Sequence, residues 1–348
     1  MKNLINGKVV LITGGTGSLG KKLVQIIVQE YKPEKLIVFS RDELKQFEMA
    51  QKWSEKKYPF IRYFLGDVRD KERLMRAFGG VDCVIHAAAL KQVPAAEYNP
   101  CECIKTNILG AMNVIDAAIA NKVKKVVALS TDKACNPVNL YGATKLCSDK
   151  LFSAARVYSG FHDTKFCVVR YGNVLGSRGS VIPFFKEWKK TGVLPVTDSR
   201  MTRFWITLDQ AAHFVLFTLS HMEGGETFVP KIPSMRITDL AKAIGPDCKH
   251  EIIGIRPGEK IHEVLIGEDD SRNTLEFNRF YIINPCKSYQ GEMSAFVDQG
   301  KNCLENFEYT SENNTVWMSV KDLAEIVGRI SNDYSIEKSR WLKEGAPV

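Results

Sequence analysis

From Ser130 to Lys145 the chain reads Ser-Thr-Asp-Lys-Ala-Cys-Asn-Pro-Val-Asn-Leu-Tyr-Gly-Ala-Thr-Lys. Hydroxyl, carboxyl, amine and phenol groups able to move protons are concentrated in one short stretch. Tyr141 and Lys145 stand four apart, so on a helix they share a face about one turn from each other. The ammonium of Lys145 is then expected to favour phenolate and lower the pKa of Tyr141. A phenol near its ordinary value of about 10 is a poor base at neutral pH, and such a shift would make it a useful one. The spacing alone is equally that of an exposed helical pair, so the surrounding elements must decide.

Just upstream, Val126-Val127-Ala128-Leu129 is short, β-branched and apolar, which predicts a buried strand. In an open parallel α/β sheet the ligand crevice lies outside the carboxyl ends of the strands, where Ser130, Thr131, Asp132 and Lys133 emerge. A Thr-Asp-Lys in that place is elsewhere only a cap and a solvated loop; the Tyr-Lys pair downstream gives it a chemical reading.

The chain opens with a similar strand, Lys8 to Ile12, which runs into Thr13-Gly14-Gly15-Thr16-Gly17-Ser18-Leu19-Gly20 and then a helical pattern at Leu23, Ile26 and Ile27. Strand, glycine turn and helix in that order make a phosphate cradle. The glycines let backbone approach a pyrophosphate, and the helix N-terminus offers unpaired N–H groups. Thr13, Gly14, Thr16, Gly17, Ser18, Leu19 and Gly20 are the candidate dinucleotide contacts. The second strand, Lys35 to Phe39, ends in Ser40-Arg41 with Lys45 a turn on, where an NAD site usually carries a carboxylate. That favours NADP, although Asp42 and Glu43 follow at once and Ser40 or Asp42 also suits a helix cap. A third strand, Arg62 to Asp67, brings Asp67 and Val68 toward an adenine. A fourth, Val81 to Ala89, brings Ala87 and Ala88 toward the cofactor and Lys91 toward cofactor or substrate. His86, among apolar neighbours, reads as a structural histidine. Ile104 to Asn121 is expected to be one long helix, with Asn107 near its start.

With a sixth strand at Phe166 to Arg170, the expected fold is α/β: a Rossmann-like doubly wound parallel sheet with a smaller α/β C-terminal substrate lobe. The expected division is residues 1–175 for the NADP-binding domain, with some later segments returning to it, and 176–348 mainly for a substrate-binding lobe and C-terminal extension. Asn173, Thr197, Met201, Arg203, Arg256 and Glu259 are its candidate substrate contacts, and Arg178 lies in a similar loop. Such arginine-bearing loops suit bidentate recognition of a diphosphate, whereas each arginine alone is also an ordinary surface ion pair.

Composition limits the alternatives. The 348 residues are 45% hydrophobic and 25% charged, with a net charge of +8 and no basic block, which argues against nucleic acid as partner and suits a small anionic substrate. Nine irregularly spaced cysteines without Cys-x-x-Cys argue against a disulfide framework and a zinc site, so no metal is expected. A strand pattern beginning within eight residues of Met1 is expected to leave no room for a signal peptide, and no apolar run is expected to approach the ~20 residues of a membrane span. A cytoplasmic protein without membrane partners is expected.

The Thr-Gly-x-x-Gly-x-x-Gly loop with Tyr-x-x-x-Lys resembles the extended short-chain dehydrogenase/reductase superfamily. Longer strings narrow the resemblance: Ser40-Arg41-Asp42-Glu43-Leu44-Lys45, His86-Ala87-Ala88-Ala89-Leu90-Lys91, Ser130-Thr131-Asp132-Lys133, Arg170-Tyr171-Gly172-Asn173-Val174, Arg200-Met201-Thr202-Arg203-Phe204-Trp205, Gly254-Ile255-Arg256-Pro257-Gly258-Glu259-Lys260 and Tyr309-Thr310-Ser311-Glu312-Asn313-Asn314. Together they are similar to the inverting UDP-N-acetylglucosamine 4,6-dehydratases that begin pseudaminic acid synthesis. Gln92 departs from the His of that group and keeps related dehydratases and epimerases in play.

The resemblance implies a transient oxidation by tightly bound, recycled NADP. Tyr141, with Lys145 beside it, takes the carbon 4 hydroxyl proton while Thr131 holds that hydroxyl. Lys133 takes the carbon 5 proton, and Asp132 protonates the departing carbon 6 hydroxyl. Hydride then returns to carbon 6, with inversion at carbon 5. Retaining relatives commonly carry Glu after the Asp, so Lys133 points to inversion. The resemblance also implies a homo-oligomer, often a hexamer. The alternatives are a retaining 4,6-dehydratase or 4-epimerase of a UDP-sugar, and a non-catalytic NADP or nucleotide-sugar sensor or scaffold.

Overall fold

The computed structural model describes residues 2–159, 163–176, 181–285, 296 and 298–330. Six strands, β1 (Val9–Thr13), β2 (Lys35–Ser40), β3 (Ile61–Leu65), β4 (Cys83–His86), β5 (Lys125–Leu129) and β6 (Lys165–Val169), lie parallel in the order β3-β2-β1-β4-β5-β6. All five residues of β1 are buried, as expected for a strand covered by helices on both faces.

The later chain both leaves this sheet and rejoins it. β7 (Asn173–Leu175), β8 (Val193–Val196) and β9 (Thr202–Thr207) lie elsewhere, whereas β10 (Thr227–Pro230) returns parallel to β6. β11 (Ser234–Arg236), β12 (Lys249–Ile252) and β13 (Val264–Ile266) leave again. β14 (Thr274–Glu276), β15 (Phe280–Ile283) and β16 (Lys301–Asn302) then extend the sheet antiparallel beyond β10. Ten strands result.

Hydrophobic cores cover both faces. Ile12, Leu23, Val127, Phe214 and Phe228 belong to one, and Leu11, Phe39, Val84, Val114, Phe152 and Phe166 to the other. At roughly 1.5–3 kcal/mol for each fully buried large side chain, this packing makes the sheet a stiff base for the loops at its carboxyl edge. A third core, with Leu175, Phe185, Leu194, Met201, Trp205, Met235 and Leu240, belongs to the smaller lobe. There β9 lies between β7 and β11, β8 pairs with β12, and β13 pairs with β17 (Tyr309–Thr310).

Two expected elements differ. β4 stops at His86, because Ala87 to Leu90 turn away toward the glycine loop. The expected helix Ile104–Asn121 starts earlier and is interrupted: Pro100–Ile104 and Gly110–Ala120 are α-helical around a π-turn, Lys105–Leu109. π-turns inside helices are frequent at functional sites, and this one carries Asn107. The stretch Pro100–Ala120 also has the length and mean hydropathy (1.2) of a membrane span, against expectation, with half of it buried inside the protein. Arg178 falls outside the described residues, as do 286–295 and 331–348.

Candidate active site

The loop after β1 is shaped by what its glycines exclude. Gly14 has φ +64°, and a Cβ there would lie 2.8 Å from the Ala88 backbone; a Cβ on Gly20 would lie 2.5 Å from the Gly15 carbonyl. Only glycine lets the loop pack between Ala88 and the start of the helix Ser18–Glu30. That helix begins at Gly17 without a side-chain cap, which leaves its first N–H groups facing the cleft. A cradle of this kind fits a pyrophosphate. Thr13 is buried behind it: its Oγ1 bonds His86 Nδ1 at 2.8 Å and accepts from the N–H groups of Ala87 and Ala88 at 3.2 and 3.3 Å. His86 is thus a structural residue, its pKa lowered to about 3 by burial and then by Lys145.

At the end of β5, Thr131 caps a single turn, Asp132–Ala134. Thr131 Oγ1 donates to Asp132 Oδ1 at 2.8 Å, and Lys133 Nζ donates to the same oxygen at 3.1 Å. The helix Leu140–Tyr158 follows, capped by Asn139, whose Oδ1 accepts from Gly142 N–H at 2.7 Å. Gly142 is where this helix touches the Asp-Lys turn: a Cβ on it would lie 2.2 Å from the Lys133 carbonyl oxygen. Tyr141 and Lys145 therefore sit on the helix end packed closest to Asp132 and Lys133. Asn107 ties in the third side. Its Nδ2 donates to the Leu90 carbonyl at 2.9 Å and to Thr144 Oγ1 at 3.0 Å, so the Ala87–Lys91 segment is held against the Tyr141 helix.

The electrostatics differ from the sequence expectation in one respect. Tyr141 is pushed up to about 12, because burial outweighs the opposing pull of Lys133 and the Thr131 bond. Lys145 is not the group that holds it down. Burial lowers Lys145 itself, and its charge is supported by Asp149 one turn further on. Asp149 accepts from Ser130 Oγ at 2.6 Å and lies 3.5 Å from Arg170. Burial raises Asp132. Burial also works against the charge of Lys133, but the neighbouring carboxylates Asp132 and Glu263 outweigh it and raise its pKa.

Glu263 is the residue that sequence reasoning missed. It lies beside β13, is 2% exposed, and places Oε1 3.1 Å from Lys133 Nζ and 3.7 Å from Arg203 Nε. The only sequence signal was its place four residues after Glu259 in the Ile-Arg-Pro-Gly-Glu-Lys string.

These groups share one cleft of ≈ 860 Å³. Gly14, Thr16, Gly17, Ser18, Leu19, Gly20, Lys45, Ala87, Ala88 and Lys91 line the side of the glycine loop; Thr131, Asp132, Lys133, Tyr141 and Lys145 line its middle; Asn173, Thr197, Met201, Arg203, Arg256 and Glu259 line the side of the smaller lobe. Thr13, Ser40, Arg41, Asp67 and Val68 do not line it. Ser40 is buried and bonded by Thr16 Oγ1 at 3.1 Å. Arg41 lies 3.8 Å from Asp67, which also takes a 3.0 Å bond from Arg69 Nε. Val68 packs in the core.

The two arginines on the lobe side behave differently. Arg203 donates to the carbonyls of Thr202, Ile261 and Lys260 at 2.7, 2.9 and 3.0 Å, so its fork holds β9 to the segment leading into β13. Arg256 is exposed at the rim, and its side chain has no ion pair or hydrogen bond among the described residues. Residues lining this space also carry buried acceptors without a hydrogen bond, among them Asn173 Oδ1, Glu259 Oε2 and Glu263 Oε2.

Sheet order, glycine cradle and Tyr-x-x-x-Lys helix define an extended short-chain dehydrogenase/reductase fold. A family model described as "Polysaccharide biosynthesis protein" matches residues 10–285, and the chain belongs to that family. It is 57% identical over 331 residues, 93% of this chain and 98% of the relative, to the UDP-N-acetylglucosamine 4,6-dehydratase (inverting) of Campylobacter jejuni. Among solved structures it is similar to Pen from Bacillus thuringiensis, with TM-score 0.85 and 38% identity over 94% of this chain and 98% of that one. The dTDP-glucose 4,6-dehydratase DesIV of Streptomyces venezuelae, solved with NAD and TYD bound, shares the fold at TM-score 0.62, with 22% identity over 72% of this chain and 86% of that one.

Proposed function

We propose that this chain is an inverting UDP-N-acetylglucosamine 4,6-dehydratase that works through recycled NADP and yields UDP-2-acetamido-2,6-dideoxy-β-L-arabino-hex-4-ulose. The observation that carries the reading is the meeting of Tyr141 and Lys145 with the Asp132–Lys133 pair in one cleft, in a chain 57% identical to a relative bearing that name.

Hydroxide leaves carbon 6 of a hexose poorly until a ketone at carbon 4 acidifies the proton on carbon 5. When bound, the cofactor supplies the hydride acceptor and donor. Tyr141, as phenolate, takes the carbon 4 hydroxyl proton; Lys133 opposes the effect of burial on the phenol, Lys145 lies one helical turn on, and Thr131 orients the hydroxyl. Lys133 takes the carbon 5 proton, and Asp132, held toward its protonated form by burial, protonates the departing oxygen. Gly14 to Gly20 would cradle the pyrophosphate, while Arg256, Asn173, Thr197 and Glu259 would meet the UDP-sugar. NADP in place of NAD is supported by Lys45 in the cleft wall, whereas Ser40 and Arg41 at the end of β2 stand outside the cleft and add no support. Mass spectrometry of the nucleotide released on denaturation checks this.

Residence in a reducing cytoplasm is supported by the eight described cysteines, all free thiols. A homo-oligomer, a hexamer by resemblance, is checked by light scattering.

Proton NMR of UDP-N-acetylglucosamine with the purified protein in heavy water tests the reaction. The expected product is a 4-keto-6-deoxy sugar with deuterium at carbon 5 and arabino configuration. A xylo product removes inversion, an epimerised but undehydrated sugar indicates a 4-epimerase, and an unchanged sugar removes the substrate.

A further inference from the structure

Lys133 lies between two carboxyl groups, 3.1 Å from Asp132 Oδ1 and 3.1 Å from Glu263 Oε1. Other charged groups face this trio: Arg203 at 3.7 Å and Lys260 at 4.0 Å from Glu263, and Lys91 across the cleft wall. Glu263 is positioned by three elements. Its N–H donates to Ser311 Oγ at 2.9 Å, and Ser311 in turn bonds Thr202 Oγ1 at 2.6 Å, so β9, β13 and the Tyr309–Ser311 segment converge behind it. Its Oε2 is buried without a hydrogen bond, and in a buried carboxylate that is an open proton-accepting position.

We propose that Glu263 is the third member of the acid–base unit: its carboxylate keeps Asp132 a carboxylic acid and receives the proton that Lys133 must lose to act as a base. The assignment rests on the dehydration reading. Two groups alone cannot hold the pattern that elimination needs, because a carboxyl and an amine 3.1 Å apart neutralise each other as carboxylate and ammonium, which is neither an acid for the leaving oxygen nor a base for carbon 5. The carboxylate of Glu263 changes this.

The Lys133 ammonium passes a proton to Glu263, and the free amine takes the carbon 5 proton. The electron pair of that C–H bond forms the carbon 5–carbon 6 double bond as the carbon 6–oxygen bond breaks. Asp132 gives its proton to the departing oxygen, and water forms. Over the cycle two protons are taken from the sugar, at the carbon 4 hydroxyl and carbon 5, and two are returned, to the oxygen and to carbon 5. The number of protons on the protein is therefore unchanged: after elimination Tyr141 and Glu263 each hold one more and Asp132 one fewer, and return of one to carbon 5 and of the other to Asp132 restores the resting state. Burial opposes ionisation of Glu263, but Lys133, Arg203 and Lys260 together lower its pKa, in keeping with a carboxylate in the resting state.

The test is Glu263→Gln in the cofactor-loaded protein, mixed with UDP-N-acetylglucosamine in heavy water. Oxidation at carbon 4, read as reduced-nicotinamide absorbance, should persist within about threefold, while deuterium incorporation at carbon 5 and product formation fall by ~100-fold or more. Glu263→Asp, which keeps the charge on a shorter arm, should recover part of the loss. Retained carbon 5 exchange in Glu263→Gln, or equal loss of both steps, overturns the proposal.

A second readout needs no sugar. The pH profile of acylation of Lys133 by acetic anhydride, mapped by mass spectrometry, should move to lower pH in Glu263→Gln, and an unmoved profile overturns the proposal. If the unaltered protein makes no product, the substrate assignment fails and this profile alone decides the role of Glu263.

Discussion

Asn139 Nδ2 donates to the carbonyl of Gly258 at 2.8 Å across 119 residues of chain, while Oδ1 of the same side chain caps the helix that carries Tyr141. One amide thus fastens the Arg256–Glu259 loop to the start of the Tyr141 helix, and Lys260 Nζ adds a second tie to the Cys135 carbonyl.

Asn139→Ala should lose both functions, and Asn139→Asp only one. Losing a cap costs ~1 kcal/mol, which lowers the thermal midpoint by about 2 °C in a chain of this size. Asp keeps the cap but cannot donate to Gly258. Its midpoint should stay near that of the parent while KM for the UDP-sugar rises, and a parental KM for Asn139→Asp would disprove the coupling.

Gly142→Ala should be far more harmful than its size suggests. The added methyl would lie 2.2 Å from the Lys133 carbonyl oxygen, so the helix must move off the Asp-Lys turn at a cost of ~1–3 kcal/mol. Oxidation and elimination should fall together, measured as kcat/KM and by single-turnover nicotinamide reduction. Gly79→Ala, where a Cβ meets its nearest atom at 3.5 Å, is the control expected to leave both unchanged.

Arg256→Ala should raise KM by about 10- to 100-fold with little change in kcat, the signature of a charge-assisted contact to the diphosphate made equally in ground and transition states. Affinity for UDP alone, by calorimetry, should weaken in parallel. Arg203→Ala should instead lower the unfolding midpoint, because its donors hold the carbonyls of residues 202, 260 and 261.

His86 makes the fold sensitive to acid. Its native pKa of about 3 lies below an unfolded value of about 6.5, so between these pH values the unfolded chain binds a proton that the native state does not. Its contribution is fully present above pH ~6.5 and is lost as pH falls toward 3, at up to ~1.4 kcal/mol per pH unit. In His86→Gln, urea unfolding between pH 6 and pH 4 should show a shallower dependence of stability on pH, by about one proton. An unchanged slope would remove His86 as the cause.

The amino-acid sequence by itself determined the sheet of β1 to β6, the glycine cradle, and the list Thr131, Asp132, Lys133, Tyr141 and Lys145. Those signals are local: apolar runs of strand length, glycines where a Cβ would strike backbone, and a four-residue helical spacing. The return of β10, β14 and β15 to the sheet was legible only as an unplaced expectation, because nothing local distinguishes a strand that rejoins the sheet from one that leaves it. The π-turn at Lys105–Leu109 was not legible, since it exists to direct Asn107 to partners at 90 and 144.

Tertiary structure alone decided the charges. Spacing placed Lys145 beside Tyr141, but burial sets the phenol, and the attraction that opposes burial comes from Lys133 on another element. Arg203 and Arg256 look alike in sequence, yet one binds its own backbone and the other faces open cleft. Glu263 reaches Lys133 from 130 residues away because β9, β13 and Ser311 converge there. Ionisation depends on distance and desolvation in three dimensions, and neither is written in the order of residues along the chain.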